Sequence, residues 1–374
     1  MKPGWTTVAL GDVAEVRRTS VHPAHMRPDD PYLGLENIER GGRLLSVSTV
    51  AGEGVKSTKF RFSPGDVLYG KLRPNLAKIL KVDFEGLCST DILPIAVNSG
   101  TLSADFLAYY LSQPQVVAQA ASRASGANLP RLAPAELLAL RIPLPPLDEQ
   151  RRIAAILGTS LHSIGCRVRA CIWIDDFLDN VYNSTLRSGD ISRRPIRSLG
   201  EVSTGKTPAT SKADYFGGVI PFVAPGDLGG LVSAKRTLTD LGAQESRLVR
   251  AGATMVCCIG ATIGKVGIVA EQSAFNQQIN AIEWGPDMDD LYGYFTMRAQ
   301  SDVVAARGSS TTMPILAKSK FEELLIPVAP FEVQEEFARV ASNVSRVRSN
   351  LIAAWEAERQ LFASLQSRAF RGEL

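Results

Sequence analysis

The segment Ile142-Pro-Leu-Pro-Pro-Leu-Asp-Glu-Gln150 returns 184 residues later as Ile326-Pro-Val-Ala-Pro-Phe-Glu-Val-Gln334. Leu10-Gly-Asp-Val13 is echoed by Leu199-Gly-Glu-Val202 at an offset of 189, and Tyr32-Leu-Gly-Leu-Glu-Asn-Ile38 by Phe222-Val-Ala-Pro-Gly-Asp-Leu228 at 190. Two more echoes stand at 187: Pro64-Gly-Asp-Val-Leu-Tyr-Gly70 with Ala251-Gly-Ala-Thr-Met-Val-Cys257, and Cys88-Ser-Thr-Asp-Ile-Leu-Pro-Ile95 with Phe275-Asn-Gln-Gln-Ile-Asn-Ala-Ile282. Every offset is close to half of the 374 residues, so the chain reads as two copies of one unit. Its length already suggests two or three domains.

Each copy begins with a globular part and ends in a long helix. In the first, Pro145 and Pro146 close the globular segment and Asp148 is placed as an N-cap. A 4,3,4,3 spacing then runs from Gln150 through Ala154, Leu157, Leu161, Ile164, Val168, Cys171, Asp175, Leu178 and Tyr182 to Thr185, and eight of these eleven positions are apolar. Adding 183 gives Val333 through Arg368, nine of eleven apolar, which is the pattern of a coiled-coil seam. Both seams carry an acid at the same repeat position, Asp175 and Glu358, as a register-setting polar residue or a partly exposed edge would; paired carboxylates for acid–base work are the alternative. Gly158 and Gly165 interrupt the first helix, each costing about 1 kcal/mol relative to Ala, and close helix–helix approach would account for them. Gly189-Asp190 and Gly372-Glu373 supply left-handed C-terminal caps. A helix of about 40 residues is roughly 60 Å long, and its seam needs a partner, for which the other copy's helix is the nearest candidate. An antiparallel pair puts the globular parts at opposite ends, a parallel pair side by side. Short β-like runs such as 67–69 and 254–259 precede one helix-like stretch in each copy, 104–121 and 289–306, so the globular parts read as α+β.

Composition narrows the function. Hydrophobic residues make up 45% and charged residues 21%, the balance of a protein with a real core. The longest uncharged apolar run, 251–264, is broken by Gly252 and Gly260 and falls short of a membrane span; with no apolar signal core behind Met1, a cytoplasmic location is expected. Five cysteines without a C-x-x-C spacing argue for reduced, buried thiols rather than disulfides or zinc. Only His22, His25 and His162 are present, too few for the commonest nucleophilic designs, and His22 with His25 alone make no metal site. Gly200-Glu-Val-Ser-Thr-Gly205-Lys206-Thr207 fits the P-loop expression, but the residues before it are polar with Pro195, and those after it do not form an amphipathic helix. A methyltransferase's Asn/Asp-Pro-Pro-aromatic tetrapeptide is missing as well. The chain reads as non-enzymatic, with nucleotide hydrolysis as a minor alternative.

The positive signal is the run 56–81, in which Lys56, Lys59, Arg61, Lys71, Arg73, Lys78 and Lys81 face one acid, Asp66, with Phe60, Phe62 and Tyr69 interleaved. Such a run can neutralise phosphates, and Arg73 or Asn75 can read base edges; a solvated face over ordinary core aromatics has the same composition. The second copy offers a weaker set, Lys235, Arg236, Arg247, Arg250 and Lys265 against Asp240 and Glu245, with Lys206 and Lys212 as further candidates. Two polar loops at equivalent positions are placed for recognition, or for turn chemistry alone: Ser125-Gly-Ala-Asn-Leu-Pro-Arg131, with Asn128 and Arg131, and Gly308-Ser-Ser-Thr-Thr-Met-Pro314, with Ser309 and Thr311.

In the order of these elements the chain resembles, over essentially its whole length, the DNA-specificity subunits of type I restriction–modification systems. The resemblance is carried by the two Ile-Pro-x-x-Pro-x-x-x-Gln junctions leading into long helices, each preceded by a Gly/Ser/Thr loop, and by Gly205-Lys-Thr-Pro208 and Tyr215-Phe-Gly-Gly-Val-Ile-Pro-Phe222. It implies two target-recognition domains, 1–146 and 189–330, each reading half of a bipartite asymmetric DNA site. Between and after them, helices 147–188 and 331–374 would form an antiparallel coiled coil with pseudo-two-fold symmetry that sets the spacer. It also implies no catalysis by this chain: two modification subunits would bind S-adenosylmethionine and methylate adenine, and restriction subunits, where present, would use ATP and Mg. A stand-alone DNA-binding regulator and a coiled-coil scaffold are the competing classes.

Overall fold

The computed structural model describes residues 4–187, 190–308 and 313–374. The chain divides into two compact units, one of residues 1–168 with 354–374 and the other of residues 169–353. Each unit therefore takes a globular part, one half of the long helix Leu147–Thr185 and one half of the long helix Phe331–Arg371.

In the first unit, Thr6–Ala9 pairs antiparallel with Arg141–Leu144, which brings the start of the globular part to the strand just ahead of the long helix. Two sheets lie between. One orders Ala14–Val16, Ile92–Val97, Val67–Gly70 and Ile79–Lys81 side by side. The other carries Lys59–Phe62 against Gly86–Cys88, which in turn runs parallel to Pro31–Leu33. The second unit repeats this: Ser192–Pro195 pairs with Leu325–Val328, Thr254–Cys257 lies between Ile279–Trp284 and Val266–Ile268, and Phe216–Val223 runs parallel to Ser273–Phe275. The sheets form where the sequence alternates or runs apolar; Val67–Gly70 and Thr254–Cys257 are buried throughout.

The one helix-like stretch expected in each globular part is split into two helices, and the short helices Pro134–Leu138, Asp240–Gln244 and Lys318–Glu322 stand beside them. Ala104–Leu111 stops before Pro114, which opens Pro114–Ser122 from the N1 position, where its missing N–H costs nothing. Asp290–Ala299 gives way to Ser301–Ala306 at Gln300.

The glutamine that ends each repeated motif explains why the motif recurs. Gln150 is fully buried; its Oε1 accepts from Ser103 N at 2.9 Å, while Nε2 donates to the carbonyls of Thr101 and Pro145, each at 2.9 Å. Gln334 makes the same three bonds, accepting from Asp289 N at 2.9 Å and donating to Asp287 O at 3.2 Å and Ala329 O at 2.9 Å. One side chain thus ties the first turn of each long helix to the loop entering the helix pair of its own globular part.

The two long helices touch within each unit, and in each the contacts descend one helix as they climb the other. In the first unit Arg167 Nη2 donates to Glu358 Oε1 at 2.8 Å, Ser163 Oγ to the same oxygen at 3.0 Å, and Arg152 Nη2 to Leu374 O at 2.9 Å. In the second, Arg348 meets Asp175 at 2.8 Å, and Tyr182 packs edge-on against Phe337 with ring centroids 5.7 Å apart. The two seam acids therefore face arginines, not each other. The 4,3 seam is followed only in part. Leu161, Val347 and Leu361 are 40–53% exposed, while Ile153 and Ala369 are fully buried, because a straight helix drifts about 20° per heptad from a 3.5 repeat. Gly158 lies under Tyr109 Oη, where a Cβ would sit 3.3 Å away, so a neighbour in the globular part is what approaches it. Gly372 has φ +77°, and Glu373 N and Gly372 N bond back to Arg368 O and Ala369 O, the expected left-handed cap. The matching Gly189 lies outside the described residues.

Among the described residues no helix is long and apolar enough to cross a membrane, and no group of three or more His, Cys, Asp or Glu could hold a metal ion. Of the five free cysteines, Cys88, Cys257 and Cys258 are buried as expected, and burial pushes the thiols of Cys88 and Cys258 up to about 12. Cys166 departs from that expectation and is exposed, because position 166 falls on the outer face of the helix.

Candidate nucleic-acid interface

Two of the segments singled out in the first copy come together. The strand Val67–Gly70 runs out into residues 71–75, and the loop 125–131 closes over them through paired bonds between Ser125 and Arg131. Three backbone bonds lace the edge: Lys71 N donates to Asp91 O at 2.9 Å, Arg73 N to Pro130 O at 2.8 Å and Leu132 N to Lys71 O at 3.0 Å. The second copy repeats all three, with Cys258 N to Gln278 O at 2.8 Å, Gly260 N to Pro314 O at 2.9 Å and Leu316 N to Cys258 O at 2.8 Å. One backbone frame is thus built twice.

The side chains on the frames differ. The first edge presents Lys71, Arg73, Asn75 and Arg131, with Asp91 among them. Arg131 grips Asp91 with two bonds, Nε to Oδ1 at 2.9 Å and Nη2 to Oδ2 at 3.2 Å, and Lys71 Nζ stands 3.9 Å from the same carboxylate. That hydrogen bond holds the Arg131 guanidinium's pKa above its usual value. Arg73 and Asn75 are exposed, and Arg73 adopts φ +51°, a left-handed conformation that the second copy gives to Gly260 at φ +92°. Ala77 and Gly264 form a second such pair, at +48° and +90°. A side chain held where only glycine is comfortable costs about 1–2 kcal/mol, which makes Arg73 a candidate for a role beyond the fold. The corresponding residues of the second edge are uncharged instead: the half-buried Thr262 and Gln278 and the 46%-exposed Ile315, with Gly260 buried where Arg73 is exposed.

The other basic candidates are dispersed. Lys59 and Arg61 stand on the strand Lys59–Phe62, in a different sheet from Lys71; Lys59 Nζ bonds Ser57 Oγ at 2.8 Å and lies 5.7 Å from the Tyr32 ring centre, while Lys56 is exposed in the preceding loop. Lys78 Nζ donates to Leu35 O at 2.6 Å. Asp66, the one acid of the run, is buried, accepts from Ser63 N at 2.9 Å and pairs with Arg17 at 3.1 Å, so it belongs to the framework. Asn128 is exposed at the tip of the first loop; Ser309 and Thr311, its counterparts, lie outside the described residues. In the second copy Arg236 stacks over Phe216 and Phe222, Lys212 bonds Tyr215 Oη at 2.8 Å, and Lys235 and Lys265 are exposed.

The P-loop alternative fails on geometry. Gly200–Thr204 is an edge strand, and no α-helix follows Thr207; the next element is the single turn Ala213–Tyr215. Lys206 N donates to Phe275 O at 3.0 Å, Thr207 Oγ1 bonds Gln277 Oε1, and Lys206 Nζ reaches Glu245 at 3.3 Å. Gly205 is needed because a Cβ there would lie 2.2 Å from Asn276 O. The segment docks a loop onto the second edge and leaves no cradle of free N–H groups for phosphate. Residues 89–91 and 276–278, which complete the two edges, were not singled out from sequence as contact residues, although both lie in a repeated segment. A cleft of about 820 Å³ in the second unit, bordered by Asp175, Tyr294, Arg298 and Arg348, involves none of these loops.

The model of the type I restriction modification DNA specificity domain matches residues 2–163 and again 190–358. The chain is 29% identical over 150 residues to the type I restriction enzyme EcoDI specificity subunit of Escherichia coli, covering 40% of this chain and 33% of that one. It is 28% identical over 178 residues to the MjaIX specificity subunit of Methanocaldococcus jannaschii, covering 46% and 41%. The matches thus span a third to two fifths of those relatives' length. In fold it resembles a type I restriction–modification S subunit from M. genitalium, with TM-score 0.66 and 13% identity over 98% of this chain and 96% of that one. A chain from a structure of a type I R–M system, described for its complex assembly and conformational transition, gives 0.57 and 19% over 100% and 99%. With the domain present twice and covering most of its length, the chain belongs to the type I restriction–modification DNA specificity family.

Proposed function

We propose that this chain is the non-catalytic DNA-recognition subunit of a type I restriction–modification complex, in which the globular parts 1–146 and 189–330 each read one half of a bipartite, asymmetric DNA site. The observation that carries the reading is the pair of edges with one set of backbone bonds and two sets of side chains, basic at Lys71, Arg73 and Arg131 and uncharged at Thr262, Gln278 and Ile315. A duplicated frame with diverged contact chemistry is what reading two different half-sites requires, because phosphate contacts position a protein while base-edge contacts specify sequence. Lys56, Lys59, Arg61, Lys235 and Lys265, dispersed over the two globular parts, add phosphate contacts away from the base-reading edges.

In this reading the helices 147–188 and 331–374 form an antiparallel coiled coil with pseudo-two-fold symmetry, hold the two readers at a set spacing and dock two methyltransferase subunits. The methyltransferase subunits supply S-adenosylmethionine and methylate adenine; a restriction subunit, where the system has one, supplies the ATP and Mg chemistry. The complex works in the cytoplasm on double-stranded DNA. The reading is tested by co-expressing the chain with its neighbouring methyltransferase and mapping methylated adenines across the genome. A bipartite motif that requires both proteins is the expected result. A single contiguous motif would overturn the two-reader arrangement, and site-specific binding by the chain alone, with no methylation, would favour a stand-alone regulator.

A further inference from the structure

We propose that Arg131, oriented by Asp91, reads a guanine in the half-site of the first globular part, and that Asp91 is a specificity-determining positioning residue. The inference rests on the DNA-recognition reading above and adds the base and the residue pair. Guanine offers two acceptors, O6 and N7, on its major-groove edge, and a guanidinium meets both when its plane is fixed. Here the plane is fixed. Nε and Nη2 are held by the two Asp91 oxygens at 2.9 and 3.2 Å, and Nη1 donates a longer bond to Leu129 O at 3.4 Å, which leaves one N–H on each of Nη1 and Nη2 for a base. The backbone beneath is fixed as well. Arg131 exchanges bonds with Ser125 at 2.8 and 3.0 Å, and its neighbours Pro130 and Leu132 are bonded to Arg73 and Lys71. The side chain remains 44% exposed, so a base can reach it.

The second edge supplies an internal comparison. By the matched backbone bonds Asp91 corresponds to Gln278 and Arg131 to Ile315, so the acid is present only where the arginine is. An acid needed by the shared framework would be expected on both edges. One that accompanies a reading arginine would not. Because it also lies 3.9 Å from Lys71, Asp91 lowers the local positive charge, which favours discrimination over indiscriminate phosphate binding.

The test uses the chain assembled with its methyltransferase subunits and duplexes carrying the mapped site, with each guanine replaced in turn by 7-deazaguanine, which lacks the N7 acceptor. The wild-type complex should lose affinity about tenfold at one guanine of one half-site, in line with the discrimination a bidentate contact provides. Arg131→Lys keeps the charge and should abolish that penalty while leaving the other half-site as sharp as before. Asp91→Asn should shrink the penalty and at the same time tighten binding to random duplex a few-fold, a pair of opposite changes that a purely structural acid would not produce. The proposal is overturned by a penalty that persists in Arg131→Lys, by the absence of any sensitive guanine, or by an Asp91→Asn effect equal on all duplexes. A wild-type complex with no sequence preference would instead remove the parent reading. If Arg131→Lys fails to assemble, Asp91→Asn alone decides through the same ratio.

Discussion

Arg73, a proposed DNA contact, stands in a backbone conformation that costs stability. Its φ of +51° is the conformation the second copy assigns to Gly260, and a Cβ there is strained by about 1–2 kcal/mol. Arg73→Gly is therefore expected to raise unfolding stability by roughly 1 kcal/mol in denaturant titrations while lowering the salt slope of DNA binding by about one phosphate contact. A variant with unchanged salt dependence would remove Arg73 from the interface. Gln150 and Gln334 stand at the opposite pole, as framework. Replacing either with Leu leaves several buried backbone groups unsatisfied, and a loss of about 2–5 kcal/mol should appear in chemical denaturation. The repeated motif could be read from sequence down to its glutamine. The task of that glutamine could not, because its three partners lie in loops before another helix, at 101–103, and at 145.

At the scale of elements, the long helices were legible and their exact contact stripes were not. The 4,3 spacing finds Leu157, Leu178 and Phe337, which are buried, but it also selects Val347 and Leu361, which are about half exposed. Periodicity records which residues are apolar, while the angle at which a helix meets its neighbours decides which of them are covered. The seam acids follow the same logic. Arg167 holds the Glu358 carboxyl below its usual range, with Ser163 assisting, so this carboxylate's folded pKa lies under the unfolded value of 4.5. The contribution of the pair is then present above about pH 4.5 and fades as pH falls through the folded pKa. Glu358→Gln should flatten the acid limb of the stability profile and leave the profile above pH 6 nearly parallel to wild type, as followed by thermal unfolding from pH 3 to 7. An unchanged acid limb would mean the pair is too solvent-screened to matter.

For the molecule as a whole, the proposed spacing role of the helices has a geometric consequence. Four residues inserted at matched points in both helices add about 6 Å of helix. The methylation motif is then expected to gain spacer length while both half-sites keep their bases; a changed half-site would sink the ruler. The sequence by itself determined the duplication, the α+β class of each copy, the long helices and the absence of a nucleophile-histidine or methyltransferase signature, because these reside in order, period and residue type. Only the tertiary structure decided which basic residues stand together. Composition placed Lys59, Arg61 and Lys71 in one run, yet strand pairing sends the first two into a different sheet and brings Arg131 and Asp91 to the third. It also turned a P-loop expression into a docking loop, since a phosphate cradle depends on the helix that follows and here none does. Local sequence sets what a segment can become, and contacts between residues some 40 to 60 positions apart in the chain set which side chains can act on one ligand.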